Sequence, residues 1–300
     1  VDNPSENRGS DANPAGKSVE EFPIESVLNG VPCPTKSECQ ALGNSVWVEV
    51  EGQGDCLRYW SSGLTKQTPS AVFYIHGDRL WLGKPTRYDD NNAAAQQEYA
   101  TKAAASLGMA FVTIARPGLY GSSGAHSASR QMREMKLVAG AVRQIIKRYN
   151  IKRYGFAGQS GGGSVASYLL TKFPDTKCVA FSAACLSLGG LRRAGQIAGG
   201  YDYGAPGIYD PIAHLSEVKV DPDRRLFVIG DEKDKGALFL NLVEYYEAAK
   251  SAGHDVTLIR SEGLGNHILD ATGQHAVSWC LQGVPTSEIE MRIANKEVIN

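Results

Sequence analysis

Between residues 71 and 281 the chain alternates short, uninterrupted apolar runs with longer stretches of helical periodicity, and this alternation limits the fold more than any single motif does. Residues 71–75, 109–115, 153–157, 178–185, 225–229 and 255–259 read as strands, and 92–107, 129–149, 163–173, 237–252 and 272–281 as helices. Within 129–149 the residues Met132, Met135, Val138, Val142, Ile145 and Tyr149 recur at steps of three or four, which puts them on one helix face. Strands that are apolar throughout must be covered on both sides, and strands joined through helices run parallel. The expected fold class is therefore α/β: a mostly parallel central sheet with helices on both faces. Ahead of it, SVWVEVEG and DCLRYW predict an antiparallel N-terminal hairpin turned at Gln53-Gly54. A chain of 300 residues, 42% hydrophobic, has core enough for one large domain, expected over residues 21–300.

Charge and composition exclude several partners. Lys and Arg total 31 against 32 Asp and Glu, with no basic run able to grip a phosphate backbone, so nucleic acid is not an expected partner. No stretch approaches the roughly 18 apolar residues of a membrane span. Residues 1–20, rich in Asn, Ser, Gly, Pro and charge, bury too little to offset the entropy of ordering and read as a flexible leader. The leader begins at Val, as a trimmed chain would. Six cysteines, an even number, with Cys33 and Cys39 flanking a short PTKSE loop that a bridge could close, point to disulfides, their pairing left open, and to a secreted or periplasmic location. Cys178 and Cys185 fall in one apolar run, where buried structural cysteine is common.

The segment GFAGQSGGGSVASYLL, residues 155–170, places a polar Gln-Ser pair and three glycines between a strand and a helix. Gly161, Gly163 and Ala166 satisfy a dinucleotide-binding spacing. However, Gly158, Gln159 and Ser160 separate the expected strand from it, and the following strand ends without the acidic residue that would hold a ribose. No Lys-Ser or Lys-Thr follows the glycines, so a P-loop is excluded. The alternative is G-x-S-x-G, Gly158 to Gly162. Here a serine sits at a tight strand-to-helix turn whose neighbours must lack bulk, and the helix beginning at Gly161 or Gly162 turns its free N–H groups toward charge formed there.

A serine nucleophile requires a base and an orienting acid, and in open α/β sheets these come from the carboxyl ends of strands. His254 precedes its strand, His275 lies within a helix, His214 falls between strands, and His126 precedes a long helix far from any late strand. His267, in the SEGLGNHILD loop after the 255–259 strand, is the candidate base. After the 225–229 strand, GDEKDKG offers Asp231, Glu232 and Asp234. Asp234 stands far enough past Gly230 to reach the next loop and is preferred, with Asp231 second.

The order Ser160, Asp234, His267, the elbow and the strand spacing together resemble the α/β-hydrolase superfamily of serine esterases and peptidases over roughly residues 45–283. VFYIHGD resembles the family's HG-x loop and ARPGLYGSSG its R-P-G-x-G-x-S loop, with one extra residue. The resemblance implies an oxyanion hole made of the backbone N–H groups of Gly161 and Asp78, with His76 bonding structurally beneath that loop. The expected activity is a serine hydrolase cleaving a carboxylic ester or related acyl bond of a small molecule through an acyl-enzyme. The alternatives are a prolyl-oligopeptidase-type peptidase or amidase, and a binding protein on the same fold. That chemistry needs no cofactor or metal, and the His and Cys residues show no ligand spacing. Residues 186–220 read as a short lid-like insertion in which Tyr201, Tyr203 and Tyr209 either pack the loop or line a pocket.

Overall fold

The structure, a computed structural model, describes residues 19–89, 91–199 and 207–300. All but the last two residues of the expected leader, together with Tyr201 and Tyr203, lie outside the described residues.

Eight strands form one sheet: β1 (Ser45–Val50), β2 (Gln53–Ser62), β3 (Ser70–Ile75), β4 (Ala110–Ile114), β5 (Arg153–Gln159), β6 (Cys178–Ser182), β7 (Arg225–Gly230) and β8 (Asp255–Arg260). Their spatial order is β1-β2-β4-β3-β5-β6-β7-β8. The pairs β1–β2 and β2–β4 are antiparallel and every other pair is parallel. The predicted hairpin is present with its turn two residues earlier, at Glu51-Gly52, because Val50 pairs with Gln53. Both turn residues have positive φ (53° and 79°), the backbone a two-residue hairpin needs to match strand twist, and glycine takes the second position without strain.

Alternation along the strands divides the core in two. Phe73, Ile75, Val112, Ile114, Phe156, Phe181 and Val228 join one buried cluster with helices α2 (Met132–Arg148), α3 (Gly161–Lys172) and α5 (Phe239–Ser251). Val72, Tyr74, Phe111, Ala157, Ala180, Phe227 and Ile229 join the other with α1 (Ala93–Leu107), α6 (Asp270–Leu281) and α7 (Thr286–Ala294). Period-two alternation with apolar residues at both phases forces this two-sided burial. In the α2 stripe, Met135, Val138, Val142 and Ile145 are buried, whereas Met132 at the helix start is 40% exposed.

Besides two short helices, Ser26–Asn29 and Lys36–Ala41, two longer ones were not expected from the sequence. Residues Leu188–Ala198 form α4, although its glycines lower helix propensity. The Ser187 side chain caps it by accepting from Gly190 N, and Leu188 and Leu191 are buried. The segment 186–220 thus carries a helix and a 3-10 turn at Pro211–Glu217. Helix α7 follows the helix read as the last one. Tyr209 is buried, stacked on His214 with ring centroids 4.5 Å apart and edge-on to Tyr168, so it packs the segment.

The structure settles the cysteine pairing that the sequence left open. Cys39 joins Cys56 and Cys178 joins Cys280, leaving Cys33 exposed and Cys185 buried as free thiols. The short PTKSE loop is therefore not bridged. Thr35 starts a six-residue helix, Lys36–Ala41, with a reciprocal capping box to Glu38. That helix directs Cys39 onto β2 rather than back toward Cys33. Strand β6 stops at Ser182, so Cys185 lies in the loop beyond it.

Parallel register brings the carboxyl ends of the strands into one row. Ile75 pairs with both Ile114 and Gly158, Gln159 with Ser182, Ser182 with Ile229, and Gly230 with Arg260. The loops that carry Asp78, Ser160, Asp234 and His267 leave the sheet along this edge.

Candidate active site

Strand β5 runs to Gln159 and α3 starts at Gly161, so Ser160 alone makes the turn. The strand is two residues longer than the sequence predicted, and Gly158 and Gln159 belong to it. Ser160 adopts φ 52° and ψ −122°, which is strained for a residue with a side chain and is held from outside. Its N–H donates to Ser182 O at 2.8 Å. The turn is tight enough that a Cβ on Gly162 would lie 2.1 Å from Ile75 O, and one on Gly161 would lie 2.1 Å from Asp78 Oδ1. The glycine run is thus a requirement of close approach by the β3 loop, and the N–H of Gly161, in the first helical turn, has no acceptor among the described residues.

His267 stands over this corner. Its Nδ1 lies 2.8 Å from Asp234 Oδ2 and its Nε2 lies 3.1 Å from Ser160 Oγ. A carboxylate accepts, so Nδ1 carries the proton and Nε2 is left to accept from the serine hydroxyl. The Asp234 side chain is 1% exposed, and its other oxygen accepts from Gly236 N at 2.7 Å. Gly236 also lets the imidazole approach, since a Cβ there would be 2.9 Å from His267 Nδ1.

Asp231, the second candidate acid, faces away from the imidazole. Its Oδ2 accepts from Leu264 N, Gly265 N and Asn266 N at 2.9–3.0 Å and from Ser261 Oγ at 3.1 Å, and its Oδ1 accepts from Lys233 N. Burial by itself would raise the carboxyl pKa. The hydrogen bonds from Lys233, Asn266, Gly265 and Ser261 outweigh it and hold the group below the ordinary carboxylate value. Asp231 therefore shapes the loop that carries His267.

The loop after β3 rests on Arg116, which is fully buried. Arg116 Nη1 donates to His76 O at 3.1 Å and to Asp78 Oδ1 at 2.8 Å, and Nε donates to Glu134 Oε1 at 2.8 Å. Its backbone N–H donates to His76 Nε2 at 3.2 Å, so the proton of His76 is on Nδ1, 3.0 Å from Gly77 O. Burial, followed by the Arg79 and Arg116 charges, keeps His76 neutral with a pKa well below the usual value. Burial opposes ionisation of Asp78, but Arg116 and Arg130 override it and hold its carboxyl far below the normal range. Asp78 enters the site beside Gly161 as a neutralised carboxylate.

A cavity of about 800 Å³ opens over Ser160 and His267. Its walls include Asp78, Arg79, Leu80, Trp81, Leu82, Arg130, Cys185 and Leu238. The structure brings Ser160, His267, Asp234, Gly161 and Asp78 into one place, sets His214, His254 and His275 elsewhere, and puts His126 behind the loop of Asp78 and Arg79. His126 is buried, accepts from Arg79 N at 2.8 Å, and has its pKa lowered to about 3 by burial and then by Arg116. Sequence reasoning missed Gln159, whose signal was a polar residue ending an apolar strand. It also missed Arg79 and Arg116, whose partners lie far away in the chain.

No protein-family model matches the chain, and no curated protein matches it by sequence. Solved structures do match. The esterase Pf2001 of Pyrococcus furiosus is 16% identical, with 88% of this chain and 97% of that one covered at a TM-score of 0.56. Est1E of Butyrivibrio proteoclasticus, solved with ferulic acid bound, is 14% identical over 79% of this chain and 98% of that one, TM-score 0.53. Acylaminoacyl peptidase of Pyrococcus horikoshii is 15% identical over 85% of this chain, TM-score 0.51, and the match spans only 41% of the peptidase. The chain has the α/β-hydrolase fold expected from its sequence.

Proposed function

We propose that this α/β-hydrolase-fold chain is a serine hydrolase that cleaves a carboxylic ester of a small molecule through an acyl-enzyme. The observation that carries the reading is the continuous hydrogen-bond relay from Asp234 through His267 to Ser160, at a serine held in a strained turn. In this reading Ser160 Oγ attacks the acyl carbonyl while His267 Nε2 takes its proton. Asp234 fixes the imidazole tautomer and stabilises its charged form. The N–H groups of Gly161 and Asp78 receive the oxyanion, charge that exists only on the way to products. His267 returns the proton to the departing alkoxide, and water then repeats the sequence on the acyl-serine and releases the acid. Residues 21–300 act as one catalytic domain, with 186–220 as a short cover. The two disulfides support work in an oxidising compartment outside the cytoplasm.

Incubation with a fluorophosphonate probe tests the reading. One equivalent of label on Ser160, absent in Ser160→Ala, is expected together with loss of ester turnover by several orders of magnitude in His267→Ala. A folded sample that takes no label removes the hydrolase reading in favour of a binding protein. The fold likeness to acylaminoacyl peptidase favours amide hydrolysis as the second reading. Aminoacyl anilides cleaved faster than 4-nitrophenyl esters would select it.

A further inference from the structure

Four arginines are buried among the described residues: Arg58, Arg79, Arg116 and Arg224. Three have matched partners. Arg58 grips both oxygens of Glu20, Arg116 bonds Asp78 and Glu134, and Arg224 donates from each of its three nitrogens to a backbone carbonyl. Arg79 is different. It is 9% exposed, its Nε donates to Tyr120 Oη at 2.6 Å, and its Nη1 only reaches Asp78 O at 3.5 Å. Its Nη2 has no acceptor among the described residues, and no carboxylate there pairs with it. Tyr120 alone holds this guanidinium closely, through Oη and the face of its ring, and no carboxylate among the described residues meets it, so its place in the wall of the Ser160 cavity calls for an anion that arrives with the ligand.

The rest of the wall agrees. Arg87 joins Arg79 around the cavity, whereas Asp78, the one acid among the described residues of the wall, is already neutralised by Arg116 and Arg130. The whole chain has 31 basic against 32 acidic residues, so this local excess is not a reflection of composition. Leu80, Leu82 and Leu238 give the same cavity an apolar side. A planar guanidinium with a free Nη edge suits a carboxylate better than it suits a neutral carbonyl.

We infer that the substrate is an ester that also bears a carboxylate, seated on Arg79 with its apolar portion against the leucine wall. This rests on the hydrolase reading above and narrows it to a substrate class. Two matched ester pairs separate the sides of the scissile bond. The first, 4-nitrophenyl hemiglutarate against 4-nitrophenyl valerate, places the charge on the acyl side. The second, butyryl esters of 4-hydroxyphenylacetate and of its methyl ester, places it on the alcohol side. In at least one pair the charged ester should have kcat/KM about tenfold higher or more, the scale of a charged hydrogen bond. Arg79→Gln should bring that ratio close to one, and Arg79→Lys should restore part of it.

Ratios at or below one in both pairs, or a preference that survives in Arg79→Gln, overturn the inference while fluorophosphonate labelling of Ser160 leaves the hydrolase reading in place. If Arg79→Gln fails to fold by circular dichroism, the wild-type ratios and inhibition by glutarate against its dimethyl ester decide the matter. If neither labelling nor turnover occurs, the hydrolase reading fails by itself. Calorimetry with glutaric acid mono-anilide and its methyl ester then tests the anion site, where equal binding of the two rejects it and tighter binding of the acid, lost in Arg79→Gln, upholds it.

Discussion

Gln159 holds the backbone on both sides of Ile268: its Nε2 donates to His267 O at 2.6 Å, and its Oε1 accepts from Leu269 N at 3.1 Å. The residue immediately before Ser160 thus fixes the residue that carries the imidazole, and the two partners of the proposed proton transfer are tied through the main chain as well as through their side chains. Gln159 is 2% exposed, so neither bond competes with bulk water.

Gln159→Leu should therefore leave a buried carbonyl and N–H unpaired and let the His267 loop shift. The expected loss is about tenfold or more in kcat, since small misplacements of a reacting group are costly, and about 1–3 kcal/mol in stability. Stopped-flow labelling of Ser160 by a fluorophosphonate should slow in parallel. Unchanged labelling with reduced stability would mean that the clamp serves folding alone.

Asp231 gives a pH signature. Its carboxyl is depressed in the folded protein, so the stability it contributes is fully present above the unfolded value of about 3.9 and is lost as pH falls through the folded pKa. Asp231→Asn should lower the melting temperature at pH 7 and flatten its decline below about pH 4, because the variant has no such proton to take up. Parallel melting curves of wild type and variant between pH 7 and pH 3 would count against this account.

Arg116 is the support of the loop after β3. Arg116→Met should leave Glu134 without its buried cation and Asp78 with Arg130 alone, and cost about 3–5 kcal/mol in denaturant unfolding. A loss below 1 kcal/mol would show that the two carboxylates find other compensation.

The disulfides can be read by thiol chemistry. Without reductant, a thiol reagent should modify Cys33 at once in the native protein and Cys185 only on unfolding, two of the six cysteines in all. The Cys178–Cys280 bridge closes a long loop, with a separation of 102 residues, and the chain-entropy estimate for such a loop is about 5 kcal/mol. Cys280→Ser should lower the urea midpoint accordingly. Four reactive thiols on unfolding would refute the pairing.

The sequence by itself determined the order and type of the main elements, because strand and helix burial impose periods of 2 and 3.6 that apolar residues must follow. It also marked Ser160 as a corner, since only glycines tolerate the approach of Ile75 O and the Asp78 carboxylate. It fixed the strand end on which His267 must lie. It ranked Asp234 ahead of Asp231 without deciding between them, because both follow β7 within a few residues and only the path of the loop decides which carboxylate meets Nδ1 and which binds three main-chain amides. Tertiary structure alone decided that Cys39 meets Cys56, that Gln159 reaches across to His267, and that Arg79 is buried with no carboxylate against it among the described residues. Each depends on a distance between segments remote in the chain, and periodicity encodes which face is buried, not what lies opposite it.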